Sequence, residues 1–236
     1  MFEYLQKDAV SHADMLDPLL RGSGEVIYDG DDGVILYETL SEIYFASMDD
    51  SEKCLSILEK YPVTLFAVHQ EETAVALQKR HHFPEYHPCH QYVYLGGTFG
   101  DTEISRAGID PKQLGEVKLL GEEYWEIVNR HYDAMDDPEY IKELIRRKQL
   151  WGIFEDGALA GFIGQHFEGS MGLLEVLPQY RKKGYGKILE AFLIRHVLGQ
   201  GRTPFCQVFD GNTASARLQE RLGMTCSPEK TWWLFR

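Results

Sequence analysis

"GLLEVLPQYRKKGYGKILEAFL", residues Gly172 to Leu193, is where this 236-residue chain changes from one periodicity to another. The run from Gly172 to Leu177 is apolar apart from Glu175 and stops at Pro178, as a buried strand does. From Lys187 onward the apolar residues recur at helical spacing, and Gly199 and Gly201 mark the end of the helix. Between strand and helix lie Arg181, Lys182, Lys183 and Lys187 around Gly184 and Gly186. A strand running through a Gly-rich turn into a helix makes an anion site, because the first turn of the helix leaves backbone N–H groups without partners and adds the positive end of its dipole. Four positive charges here stand out in a chain whose formal net charge is −13.

Working outward, "DPEYIKELIRRKQ" reads as a helix with Asp137 as N-cap and Pro138 in the first turn. "EEYWEIVNRHYDAM" before it is helical too. "LWGIFEDGALAGFIGQHF" reads as two strands about a Glu155-Asp156-Gly157 turn. After the opening stretch come a strand "PFCQVFD", a helix "NTASARLQERLG" closed by Gly223, and a strand "TWWLF". The first half runs in the same order: a hairpin "GEVIYDGDDGVILYET", a strand "SEIYFASM", a helix "SEKCLSILEKY", a strand "VTLFAVHQ", a helix "ETAVALQKRHHF" and a strand "QYVYLG". "LQKR" at Leu77 and "LQER" at Leu218 occupy matching places. The pattern predicts an internal duplication of a mixed α+β unit, each half a mostly antiparallel sheet flanked by helices. The domains are expected at 1–110 and 111–236, joined through the aperiodic "GTFGDTEISRAGIDPKQLG".

An apolar content of 44% and an aromatic content of 12% suit a globular protein with a substantial core. The N-terminus lacks a basic start followed by an apolar run, and no stretch of eighteen apolar residues occurs, so a cytoplasmic protein that does not enter membranes is expected. The acidic balance argues against nucleic acid as a partner. Cys54, Cys89, Cys206 and Cys226 form no CxxC pair. The run His81, His82, His87, Cys89, His90 has no metal-ligand spacing, and no metal is expected. Trp232 and Trp233 are expected in packing, not in stacking on a ligand.

The loop fits neither common nucleotide fingerprint. A triphosphate loop needs four residues between its glycines and a following Lys-Ser or Lys-Thr, and a dinucleotide loop needs a third glycine where helix is already under way. Arg181, two residues, Gly184, one residue, Gly186 resembles instead the signature loop of the GNAT superfamily of N-acetyltransferases. Downstream, Asn212, Ser215, Leu218 and Leu222-Gly223 resemble the family's second motif, with Met224 in its aromatic place. The resemblance covers about Gly115 to Phe235, and "LPQYRKKG" after a degenerate half is similar to the glycine N-acyltransferase type. It implies tandem GNAT-like halves, with acetyl-CoA as acyl donor and an amine as acceptor. Its pyrophosphate would be held at Arg181, Lys182, Lys183, Gly184, Tyr185, Gly186 and Lys187, the acyl carbonyl at the backbone of Val176 and Leu177, and the pantetheine or phosphate end at Asn212 and Ser215. It also implies that "GLLEVLP" splays from "PFCQVFD" to admit the cofactor arm. Asn212 serves equally as a helix N-cap.

Attack on a thioester requires the neutral amine, and a pKa near 10.4 leaves about one part in a few thousand neutral at pH 7, so a base is worth about 4 to 5 kcal/mol. The resemblance puts the base at Ser170 or Gly172, neither of which can serve. Glu168, which shares their strand parity, and Glu175, which faces the right side only if a bulge turns it, are the candidates, with His166 third. Either carboxylate could equally be a solvated surface group. The resemblance also places a Tyr acid where this chain has Gln219; a thiol near pKa 8.5 leaves tolerably without it. In the first half "ASMDDSEK" replaces the basic loop, and Asp49 and Asp50 would repel a pyrophosphate. An acyl-CoA N-acyltransferase is therefore expected, the alternative being a non-catalytic CoA-binding or sensing protein. The acceptor and a homodimer stay open.

Overall fold

The computed structural model describes residues 2–62, 65–132 and 137–235. In chain order the elements are α1 Glu3–Gln6, α2 Ala13–Arg21, β1 Gly24–Gly30, β2 Gly33–Glu38, β3 Ile43–Met48, α3 Ser51–Leu58, β4 Phe66–Val68, α4 Glu71–His81, β5 His87–Val93 and α5 Asp101–Arg106. They continue with β6 Lys118–Leu119, α6 Trp125–His131, α7 Pro138–Arg146, β7 Leu150–Glu155, β8 Ala158–Gln165, β9 Met171–Val176, α8 Tyr185–Gly199, β10 Phe205–Phe209, α9 Thr213–Arg221 and β11 Thr225–Leu234. Single 3₁₀ turns lie at Pro111–Glu116, Glu122–Tyr124 and Pro178–Tyr180. The order β1-β2-β3-α3-β4-α4-β5 recurs as β7-β8-β9-α8-β10-α9-β11. The start of the strand expected at 63–70 and the end of the helix expected at 122–135 lie outside the described residues.

The chain divides into two compact units, and neither is a continuous half. Unit 1 comprises Met1–Val93, Phe205–Arg217 and Thr225–Arg236, and unit 2 comprises Tyr94–Pro204 and Leu218–Met224. Within unit 1 the strand order is β1-β2-β3-β4-β11-β5-β10, antiparallel except for the parallel pair β3/β4. The last strand, β11, thus runs between β4 and β5, with Trp232 opposite both Val68 and Pro88. Period-two alternation divides its side chains between the faces: Trp232 and Leu234 pack with Ile35, Tyr44, Phe66 and Leu77, while Trp233 packs with Leu36, Phe45, Leu5 and Met15. The two tryptophans are packing residues, as expected.

The N-terminal helices α1 and α2 have no counterpart among the expected elements, and they cover that second face. Part of α2's buried surface is polar: Asp14 accepts from Gln91 Nε2 at 2.8 Å and its Oδ1 lies 3.2 Å from His69 Nε2. The expected joining segment also carries structure, with α5 and a 3₁₀ turn whose Ile104 and Leu114 are buried. The histidine run is not a loop throughout. β5 begins at His87, whose ring stacks on Phe235 at 4.5 Å, and His90 Nδ1 lies 3.0 Å from the Ser227 carbonyl. Among the described residues no group of His, Cys, Asp and Glu is placed to hold a metal ion, and no helix is long and apolar enough to cross a membrane.

Unit 2 is an antiparallel sheet in the order β9-β8-β7-β6. Asp156 and Gly157 both take positive φ at the β7–β8 turn, the conformation of a tight two-residue hairpin. Asp137 caps α7 by accepting from the Tyr140 amide at 3.0 Å, as its spacing before Pro138 predicts. Val128, Ile141, Leu144, Phe162 and Leu173 form the core on the α6/α7 side. α8 packs so closely on β8 that a Cβ at Gly161 would meet Leu189 at 3.3 Å and the Glu175 carbonyl at 2.7 Å.

Candidate active site

The strand–turn–helix of the opening stretch folds as its residues dictate. Pro178 ends β9, a 3₁₀ turn follows, and Gly184 begins α8 in the left-handed region at φ 88°, ψ 1°. No side chain caps α8. A Cβ at Gly184 would meet nothing within 4 Å, so it is the backbone conformation, not crowding, that calls for glycine. Arg181, Lys182 and Lys183 are exposed around this open helix start.

Several side chains expected to hold the anion, Arg181 and Lys183 among them, already have partners. Lys187 Nζ donates to the carbonyls of Ala107 at 2.6 Å and Gly108 at 2.9 Å, just past α5. Tyr185 Oη donates to Glu155, which holds that phenol up at a pKa of about 12. The same carboxylate takes Lys183 Nζ at 2.5 Å, and the two donors hold Glu155 below the usual carboxylate range. Arg181 bonds through Nε to the Val176 carbonyl at 3.0 Å and through its terminal nitrogen to Glu175 at 2.9 Å. Leu177 has a buried side chain, its amide donates to Ala160 and its carbonyl accepts from Tyr180, so it is a structural residue here. Glu155 had no signal in the sequence beyond its place at a turn.

β9 carries the bulge on which the reading of Glu175 depended. Phe162 and Gly164 of β8 oppose Glu175 and Gly172, which places two residues of β9 against one, and Leu173 there has φ 52°. Glu175 is half-buried, tied to Arg181. Glu168 is not on a strand, contrary to the parity assigned to it; it lies in the β8–β9 turn, where Gly169 N–H returns to the His166 carbonyl at 3.0 Å. The turn buries it to 5% exposure, and it accepts from Ser170 Oγ. Tyr132 and Tyr140 face this buried carboxylate. Burial first, and then the nearby Glu168 charge, raises both phenols, Tyr132 to about 12. Tyr140 Oη lies 2.7 Å from His166 Nδ1.

Gln219, in the place where the resemblance puts a Tyr, is buried and hydrogen-bonded to Glu190 of α8. Glu190 is 2% exposed and interrupts the α8 face that the sequence pattern presents as unbroken and apolar. Burial raises its carboxyl to about 7, with the Gln219 bond opposing. A carboxyl raised in the folded state gives stability that is complete below its unfolded value, near 4.5, and is lost as pH rises through about 7. Glu190→Gln should therefore flatten this dependence, raising stability at pH 8.5 by up to about 3 kcal/mol and changing it little at pH 5, as read from urea midpoints. Equal shifts at the two pH values would show Glu190 to be ionised throughout.

Asn212 and Ser215 belong to unit 1. Asn212 Oδ1 accepts from the Ser215 amide at 3.1 Å, the N-cap bond of α9. In the first repeat the place of the loop is closed from within. Asp50 caps α3 by accepting from the Lys53 amide at 3.0 Å. β3 and β4 pair in register from Tyr44/Phe66 to Ala46/Val68, and His69 N–H continues to the Ala46 carbonyl.

A bulged strand, β9, leading through Pro178 and an uncapped glycine into α8, within this order of elements, is the GNAT fold. More particularly, residues 150–234, from β7 to β11, match the family model described as FR47-like protein. Solved structures share the fold over most of the chain. A Drosophila protein superposes with a TM-score of 0.64 at 16% identity, over 86% of this chain and 74% of its own. A GCN5-related N-acetyltransferase-like protein of Streptococcus suis does so at 0.58 and 14%, over 95% and 93%. A GNAT-family protein of Novosphingobium aromaticivorans gives 0.55 and 16%, over 95% of each chain. No curated protein sequence matches the chain.

Proposed function

We propose that the chain is an N-acyltransferase that moves an acetyl group from acetyl-CoA to a primary amine by direct attack. The observation that carries this is the open start of α8: Gly184 in the left-handed conformation, no side-chain cap, and exposed Arg181, Lys182 and Lys183 about it. These groups suit a pyrophosphate, whose charge the free N–H groups and helix dipole would stabilise. When bound, the thioester supplies the activated acyl carbon. The chain's own residues orient and neutralise charge around it. Arg181 is aligned by the Val176 carbonyl and Glu175, and the buried Glu168 favours a cationic or proton-losing group beside it. The Tyr185 and Lys187 side chains already have partners in Glu155 and in the Ala107 and Gly108 carbonyls, so the anion is proposed to rest on the backbone N–H groups and on Arg181, Lys182 and Lys183. The first repeat, with Asp50 on its own helix start, is proposed not to bind CoA.

Isothermal titration with acetyl-CoA, followed by thiol release across a panel of small amines, amino acids and peptides, tests this. Micromolar binding with turnover on one class supports it, and no affinity for acetyl-CoA removes it. One observation favours a second reading, a CoA-binding protein without turnover: Gln219 stands in the acid's place and is buried against Glu190. Tight binding with no thiol release from any amine would select that reading.

A further inference from the structure

Gly172 is one of the two positions where a base is expected and no basic side chain exists, yet the space above it is filled. A Cβ built on Gly172 would lie 2.4 Å from His166 Nε2 and 2.7 Å from His166 Cδ2. The imidazole therefore occupies the volume a residue-172 side chain would claim, beside the bulge of β9. It reaches there from the far side of the β8–β9 turn, whose hydrogen bond from His166 N–H to the Ser170 carbonyl, 2.9 Å, fixes its backbone. His166 is partly exposed, whereas Glu168 is buried in the turn and Glu175 is bound to Arg181.

We propose that His166 is the general base of the acyl transfer and that Tyr140 is its positioning residue. Resting on the N-acyltransferase reading above, this names the group that takes the proton. Tyr140 is half-buried on α7, and its ring lies nearly parallel to the imidazole, at 27° and 6.1 Å between centroids. With the hydrogen on Nδ1 donated to Tyr140 Oη at 2.7 Å, Nε2 keeps its lone pair on the Gly172 side. The titratable and charged groups about this pair are Tyr132 from the end of α6, Tyr140 itself from α7, Glu168 from the turn and Arg202, whose guanidinium donates to the Gly169 carbonyl of the same turn at 3.2 Å; both phenols are raised and stay neutral. In the step, the amine nitrogen forms its bond to the acyl carbon and its proton passes to His166 Nε2. The carbon–sulfur bond breaks with its electron pair on sulfur, and the imidazolium returns the proton to the thiolate.

Nitrogen NMR of the full chain, free of substrate, tests the geometry without turnover. The His166 resonances should show the Nδ1–H form, and Tyr140→Phe should mix the two tautomers; an Nε2–H form in the unaltered protein overturns the proposal. In turnover, His166→Gln should lower kcat about 100-fold or more, the usual worth of a positioned base, and abolish the acid limb of the pH–rate profile while acetyl-CoA affinity is kept. Tyr140→Phe should lower kcat about 10-fold and leave KM unchanged, and imidazole added to His166→Gly should restore part of the rate. Should the His166 variants fail to fold, Tyr140→Phe and the tautomer measurement decide. Unaltered kcat in His166→Gln removes His166 alone, whereas no turnover by the parent protein on any amine removes the transferase reading with it.

Discussion

Leu234→Asp should unfold unit 1. Leu234 is fully buried in β11, between β4 and β5, in the core shared with Ile35, Phe66 and Leu77. Emptying such a site to alanine costs about 2 to 5 kcal/mol. A carboxylate adds the penalty of a buried charge with no partner, and the sum rivals the whole stability of a domain, about 5 to 15 kcal/mol. Hydrogen exchange would read the loss in β2, β3 and β4, strands that precede the substitution by more than a hundred residues. The neighbouring Phe235 is 38% exposed, and Phe235→Asp should leave the same amides protected. Protection surviving in Leu234→Asp would mean that the first repeat completes its sheet without β11.

Gly184→Asp should abolish most of the affinity for acetyl-CoA while Gly184→Ala keeps the greater part. The alanine costs about 1 kcal/mol of backbone strain at φ 88° and meets no atom. The aspartate brings a negative charge to the start of α8, where it can take the N–H groups an anion would use, much as Asp50 does for α3. A loss of about 10-fold or more is expected for the aspartate, since each 1.4 kcal/mol is a factor of ten. Titration calorimetry on both variants separates charge from strain. Parallel losses in alanine and aspartate would put the effect in the loop's conformation, and unchanged affinity in both would take the loop out of cofactor binding.

What could be read beforehand was local. Proline at 178, glycines at 184 and 186 and the charges between them act on their own few residues, so the turn into α8 is legible from spelling alone. The same holds for Asp137 as a cap and for the Asp156-Gly157 turn. Pairings far apart in sequence were out of reach: nothing in "TWWLF" says that it lies between β4 and β5, nor that it begins as early as Thr225. α2 was missed because its buried face includes Asp14, whose partners Gln91 and His69 lie more than fifty residues away. Glu190 was hidden for the opposite reason, as one polar residue in an apolar stretch. By sequence His166 ranks only third, behind Glu168 and Glu175, because its claim rests on the space left by Gly172 and on a phenol from another helix.

The central position of β11 bears on how the protein is made. While the chain is being synthesised, β4 and β5 face each other across an empty strand position until residues 225–234 leave the ribosome. Until then both expose unpaired backbone edges and the apolar side chains that Trp232, Trp233 and Leu234 will cover, which are conditions that favour aggregation. The nascent chain should therefore depend on chaperones through most of its synthesis, and refolding should be slow, limited by a loop closure spanning more than a hundred residues.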